Sequence, residues 1–154
     1  MQNKFYEGLI ENDVVKLLAV PKSDIHNHST KGCRRVWLEE RLKRNFPKQP
    51  DRFDGLAGMQ EWFTASIKPY CKGVEGIILR WEGAFAEAER NNITRLAMNF
   101  GATEIDFVGG MDTFKSIIGS FYEKYCPNAV FEPEITYVSF CNADQEAEKI
   151  EQYI

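Results

Sequence analysis

Both histidines of the chain, His26 and His28, lie in one short stretch, PKSDIHNHSTKG, with a single residue between them. On a strand, residues two apart point to the same face, so the two imidazoles aim at one spot and Asp24 projects beside them. Neutral imidazole nitrogens bind zinc-class divalent ions, and hydrolytic sites built on such ions add further protein ligands while leaving a position open for water. His26 and His28 are therefore the candidate metal ligands, with zinc or another divalent metal as the implied cofactor. Asp24 is the candidate acceptor that holds an imidazole in orientation; the alternative is a carboxylate that only caps the entry to the strand. The competing explanation of the motif is a pair of solvated or hydrogen-bonded histidines without a ligand. Its place at a strand end, the adjacent Asp24 and the Ser29-Thr30-Lys31-Gly32 turn weigh towards the metal.

Other reactive residues are dispersed. Cys33, Cys71, Cys126 and Cys141 make no close metal-ligand spacing and read as reduced, mostly buried thiols, with Cys33 alone lying near the histidines. From Lys31 to Arg52, basic residues outnumber Glu39, Glu40 and Asp51, but the acids are interleaved among them, which reads as an ordinary solvated face. The net charge of −4 lacks the basic excess of a nucleic-acid binder, and no nucleic-acid partner is expected. The N-terminal MQNKFYEGLIENDVVKLLAV has no long apolar run, so neither a signal peptide nor a spanning helix is expected, and the protein reads as cytoplasmic without a membrane partner. Trp62 and Phe63 read first as core, with the wall of an apolar substrate pocket as the alternative.

The elements that must position these residues follow from periodicity and breakers. With 154 residues, 44% of them apolar, the chain can fill one core, and no repeat or linker divides it; residues 1–154 are read as a single α/β unit. One helix is predicted over Lys4–Ala19, ended by Pro21, followed by SDIHNH as the first strand. Two helices parted near Lys72 and Gly73 come next, the second with Val74, Ile77, Ile78, Trp81, Phe85 and Ala88 on one apolar face. ITRLAMNFG is the second strand. Phe114, Ile117, Ile118, Phe121, Tyr122 and Tyr125 mark a further helix before Pro127. PEITYVSFCN is the third strand, and ADQEAEKIEQYI a last helix with Asn142 as its cap. Strands separated by helices predict a parallel sheet with crossover connections.

VPKSDIHNHSTKG resembles the first barrel strand of the adenosine deaminase branch of the metal-dependent amidohydrolase superfamily, where a Pro-Lys pair, an acidic residue and HxH occur in that order. GMQEWFTASIKPYC and GVEGIILRWEGAFAEAERNNITRLAMNF are similar to the segments between the first and second strands of those deaminases. The resemblance implies a (β/α)8 TIM barrel, of which this chain is the N-terminal portion with about three parallel strands and their crossover helices. It also implies hydrolytic deamination of a purine nucleoside or related aminopurine by a metal-activated water, with His26 and His28 as two ligands of a single zinc. The family's later histidines have no match, because the chain holds no third histidine. Two places depart from the family. Ser29-Thr30-Lys31-Gly32 follows HxH where a Leu, an acidic residue and Gly are usual, and Ala97 and Asn99 stand where a glutamate and an arginine are common.

A (β/α)8 barrel takes about 250 residues. The chain is therefore expected to be part of a longer protein, or a short one that works by association, and to be inactive alone. Three strands of a barrel leave unpaired edges, which predicts self-association beside a small nucleoside-like substrate as the other partner. Two further readings remain open. One is a metal-dependent phosphoesterase of the polymerase and histidinol phosphatase type, whose opening strand also shows an acidic residue and HxH followed by Ser. The long helical insertion before the second strand weighs against it. The other is a non-catalytic partner or scaffold with vestigial histidines, which the lack of further histidines favours.

Overall fold

The computed structural model describes residues 3–137 and, beyond them, residues 144, 147, 148, 150 and 151. Two short helices open the fold, α1 (Lys4–Ile10) and α2 (Val14–Ala19), where the sequence predicts one. Asn12 takes a left-handed φ of 52°, and the Asp13 carboxylate accepts from the Lys16 amide at 3.0 Å to cap α2. Short polar side chains compete for backbone donors inside a helix, and an Asn-Asp pair splits this one.

Three strands then form one parallel sheet, ordered β1 (Lys22–His28), β2 (Ile93–Gly101) and β3 (Val130–Thr136). Parallel neighbours need crossovers, and helices supply them. Between β1 and β2 run α3 (Arg35–Leu42), α4 (Gly55–Ser66) and α5 (Gly73–Arg90), and between β2 and β3 run α6 (Ala102–Phe107) and α7 (Met111–Tyr125). The mixed α/β class, the parallel sheet, the second strand and the helix break before Gly73 agree with the sequence reading. Lys22 ties β1 to the preceding helix, its ammonium donating to the carbonyls of Leu17 and Val20 at 2.7 and 2.6 Å.

Central strand β2 turns Leu96, Met98 and Phe100 to the helix layer, where Trp81 and Phe85 of α5 and Phe114 and Ile118 of α7 meet them. Trp81, Phe100 and Phe114 pack edge to face with centroids 4.9 to 5.6 Å apart, geometry worth about 0.5–1.5 kcal/mol per pair beyond burial. A second cluster, Trp37, Leu38, Phe46, Ile67, Cys71 and Ala86, lies on the other side of α5. Covered on two sides, α5 buries Gly76, Gly83, Ala84, Ala86 and Ala88, small residues that let its neighbours approach closely.

Two helices escape the periodicity. α3 is short and largely charged, burying only Trp37 and Leu38, and α6 has six residues directly after β2. β3 starts at Val130 instead of the predicted Pro133, which an edge strand tolerates because an edge can spare one amide donor. The rest of the predicted third strand, 138–142, lies outside the described residues, as do Asn142 and much of the helix predicted over 143–154. No helix among the described residues is long and apolar enough to cross a membrane.

Candidate functional site

β1 presents the imidazoles at its C-terminal end, and it is not a regular strand. Asp24 stands opposite Leu96 and Asn27 opposite Met98, so three steps on β1 match two on β2 and one residue bulges. Residues paired across strands share a face. Asp24 and Asn27 therefore lie with Leu96 and Met98 on the helix side, while His28 lies with Asn99 on the open side. Ile25 and His26 span the bulge, Ile25 with 72% of its surface exposed and His26 exposed beside His28.

The two imidazole centroids are 4.8 Å apart with ring planes at 83°. Imidazoles that share one tetrahedral ion through Zn–N distances of about 2.0–2.1 Å hold their centroids about 5 Å apart, a separation close to that of this edge-to-face pair. Burial, then the charges of His26 and Lys31, hold the His28 pKa below its ordinary value, which favours the neutral ligating form. Among the described residues no group of three His, Cys, Asp or Glu side chains converges to complete such a site.

Asp24 is separated from the pair. The expectation that it shares their face is corrected by the bulge, whose extra residue turns it to the helix side. Its carboxylate accepts from the Asn27 side-chain amide at 2.7 Å and from the His26 main-chain amide at 3.3 Å, bracing the bulged backbone.

His28 opens onto a cavity of about 390 Å³ over the C-terminal ends of all three strands, with Asn99 of β2 and Thr136 of β3 in its wall. Ligands of parallel α/β sheets bind at these strand ends. Lys31, Lys68 and Arg80 also line it, facing the single carboxylate of Glu104. A neighbouring cavity of about 260 Å³ is walled by Leu38, Phe53, Met59, Trp62, Phe63 and Ile67, and the two share Thr30, Lys31 and Phe63. Trp62 and Phe63 pack on the second core cluster, the first role weighed for them, and also line this cavity.

Cys33, the cysteine nearest the histidines, has its thiol pushed up to about 12, by burial first and then by the charge of Glu87, so it stays protonated. Half of the basic residues from Lys31 to Arg52 are paired with carboxylates. Arg34 pairs with Glu87, Arg35 with Glu39, Arg41 with Glu82 and Lys48 with Asp51, while Arg44 stacks on Tyr70. Of that stretch only Lys31 lines the cavity beside His28. Sequence reasoning missed Lys68 and Arg80. Arg80 left one signal, a lone cation within the apolar run IILRWEGAFA. No protein-family model matches the chain, and no curated protein matches it in sequence.

Proposed function

We propose that the chain is the first part of the catalytic barrel of a metal-dependent hydrolase of the adenosine deaminase kind, acting on a purine nucleoside or related aminopurine in the cytoplasm. The observation that carries this reading is the convergence of His26 and His28, 4.8 Å apart, at the C-terminal end of the first strand beside a cavity. The two imidazoles would hold a zinc-class ion, which would supply the Lewis acidity that activates water at neutral pH. Asp24 and Asn27 keep the pair in register from behind, and Phe63, which lines both cavities, with Trp62 in the second, gives apolar surface for a purine ring. Hydrolytic zinc sites take three or more protein ligands. Among the described residues only these two ligating side chains come together, so on this reading the others come from further polypeptide, in cis or in trans, and the 154-residue chain alone is expected to turn nothing over. Among the described residues no strand pairs with the outer edges of β1 and β3, and these edges are where that polypeptide, or a second copy, would pair.

Metal content is the first test. The chain takes up about one zinc ion, and His26→Ala or His28→Ala abolishes the uptake; equal zinc in the parent and both variants would overturn the metal site. A protein carrying the complete site is then screened for ammonia release from aminopurines and nucleosides, and for phosphate release from monoesters. Ammonia is the expected product. Phosphate without ammonia would move the chain to the phosphoesterase reading, which the cations beside His28 favour.

A further inference from the structure

We infer that the cavity beside His28 holds a phosphate group, so that the substrate is a nucleoside monophosphate and not a free nucleoside. The purine half of this statement rests on the deaminase reading above; the phosphate half has its own support. Arg80 is only 7% exposed, yet among the described residues its guanidinium makes one hydrogen bond, from Nε to the Gly76 carbonyl of its own helix at 3.1 Å, and lies over the Phe63 ring at 5.8 Å. Among the described residues no carboxylate forms an ion pair with Arg80, Lys31 or Lys68. Glu104 is the acidic side chain whose charge acts on Arg80, and it does so without closing an ion pair; a buried guanidinium so weakly compensated is costly, and an anion in the cavity would compensate it further.

The three cations come from separate parts of the chain: Lys31 from the turn after β1, Lys68 from the segment after α4, and Arg80 from α5. Against them stands only Glu104, and its carboxylate is engaged with the Gly101 amide at 3.4 Å. The Lys31 pKa is lowered by burial first and then by the charge of Lys68, with Glu104 raising it and Arg80 lowering it again; burial lowers that of Arg80 too, against the charge of Glu104. A phosphate dianion removes the repulsion. The planar guanidinium offers paired N–H donors to phosphate oxygens, the lysines act as point charges, and Thr30 and Thr103 bring hydroxyls to the same wall. At about 390 Å³ the cavity has room for a sugar phosphate, and it adjoins the aromatic wall at Phe63.

The test is direct binding by the metal-free chain, titrated calorimetrically with AMP, adenosine, ribose 5-phosphate and inorganic phosphate. AMP and inorganic phosphate are expected to compete for one site, and AMP to bind more tightly than adenosine. Lys31→Gln and Lys68→Gln, both at exposed positions, each weaken phosphate about tenfold, while Lys48→Gln, outside the cavity, leaves it unchanged. Arg80→Lys keeps the charge but loses the fork, and weakens phosphate with the circular dichroism spectrum intact. Adenosine bound as tightly as AMP, or phosphate affinity unmoved by Lys31→Gln and Lys68→Gln, overturns the subsite and leaves the deaminase reading standing. Phosphate binding sensitive to both substitutions, with AMP no tighter than ribose 5-phosphate, supports the subsite and removes the purine reading.

Discussion

Helix α5 supports the turn that carries Lys31, and substituting its glycines tests how closely. Gly83 and Gly76 both lie within α5, where replacing Gly by Ala gains at most about 1 kcal/mol of helix propensity. Their surroundings differ. A Cβ on Gly83 would lie 2.2 Å from Sγ and 2.7 Å from Cβ of Cys33, and 3.0 Å from Cε3 of Trp37. These are side chains that can shift, at an overpacking cost of about 1–3 kcal/mol, so Gly83→Ala loses up to about 2 kcal/mol net. A Cβ on Gly76 would lie 2.0 Å from the carbonyl carbon of Cys71 and 2.2 Å from its oxygen. No rotamer relieves a clash with main chain, so Gly76→Ala costs more than Gly83→Ala. Gly119 of α7 is the control, since a Cβ there meets nothing within 4 Å and only the propensity gain remains.

Thermal melts followed by circular dichroism should therefore rank Gly119→Ala above the parent, then Gly83→Ala, then Gly76→Ala. At about 2–4 °C per kcal/mol for a chain of this size, Gly119→Ala rises by a few degrees and Gly83→Ala falls by as much as about 8 °C. Cys33→Ala in the Gly83→Ala background recovers part of the loss, because it removes the 2.2 Å contact and keeps the 2.7 Å one. A Gly83→Ala protein as stable as Gly119→Ala would refute the close approach of α5 to Cys33, and with it this account of how the turn is held.

Two further outcomes are expected. Burial pushes the Glu82 carboxyl up, but hydrogen bonds from Lys124 at 2.8 Å and Tyr125 at 2.7 Å, with the charges of Lys124 and Arg41, outweigh it and hold the pKa below its ordinary 4.5. A folded pKa below the unfolded one gives stability that is full above the unfolded value and is lost as pH falls through the folded one. Glu82→Gln should flatten the acid limb of a urea-midpoint profile below about pH 4.5; an unchanged limb would show that this link between α5 and α7 does not matter. The open edges of β1 and β3 should associate at micromolar concentration, giving a dimer or larger species by light scattering, and a clean monomer would refute that.

Local features of the site were legible in the sequence. The strand around His26 and His28, and the β2 strand from Ile93 to Gly101, follow from side-chain type and breakers within a few residues. The closeness of the two imidazole rings, 4.8 Å between centroids, is equally local. The bulge was not legible, because a period-of-two reading assumes an even count and nothing in SDIHNH marks the extra residue. One such residue was enough to turn Asp24 to the other face. The cation cluster was hidden for a different reason. Lys31, Lys68 and Arg80 meet only because three separate segments converge over the strand ends, and no spacing rule encodes that. Arg80 alone was visible, as a charge where the helical pattern asks for an apolar residue.

The bulge also explains how one short segment positions both halves of the site. Asp24 holds the His26 amide and the Asn27 side chain, and Asp24 and Asn27 face the helix layer. Asn27 in turn fills the space beside Gly32, where a Cβ would come within 2.1 Å of its Oδ1 and 3.2 Å of the Ala84 Cβ on α5. Gly32 closes the turn in which Lys31 stands, its amide donating back to the His28 carbonyl at 2.7 Å. A contact chain therefore runs from Asp24 through Asn27 and Gly32 to α5, the helix that also carries Arg80. The imidazole pair lies at one end of that chain and the cations at the other, so a change in how α5 seats on the sheet moves both together. Precision at the open face comes from packed, ligand-free groups behind it, which is the arrangement a site needs when its own side chains must stay exposed.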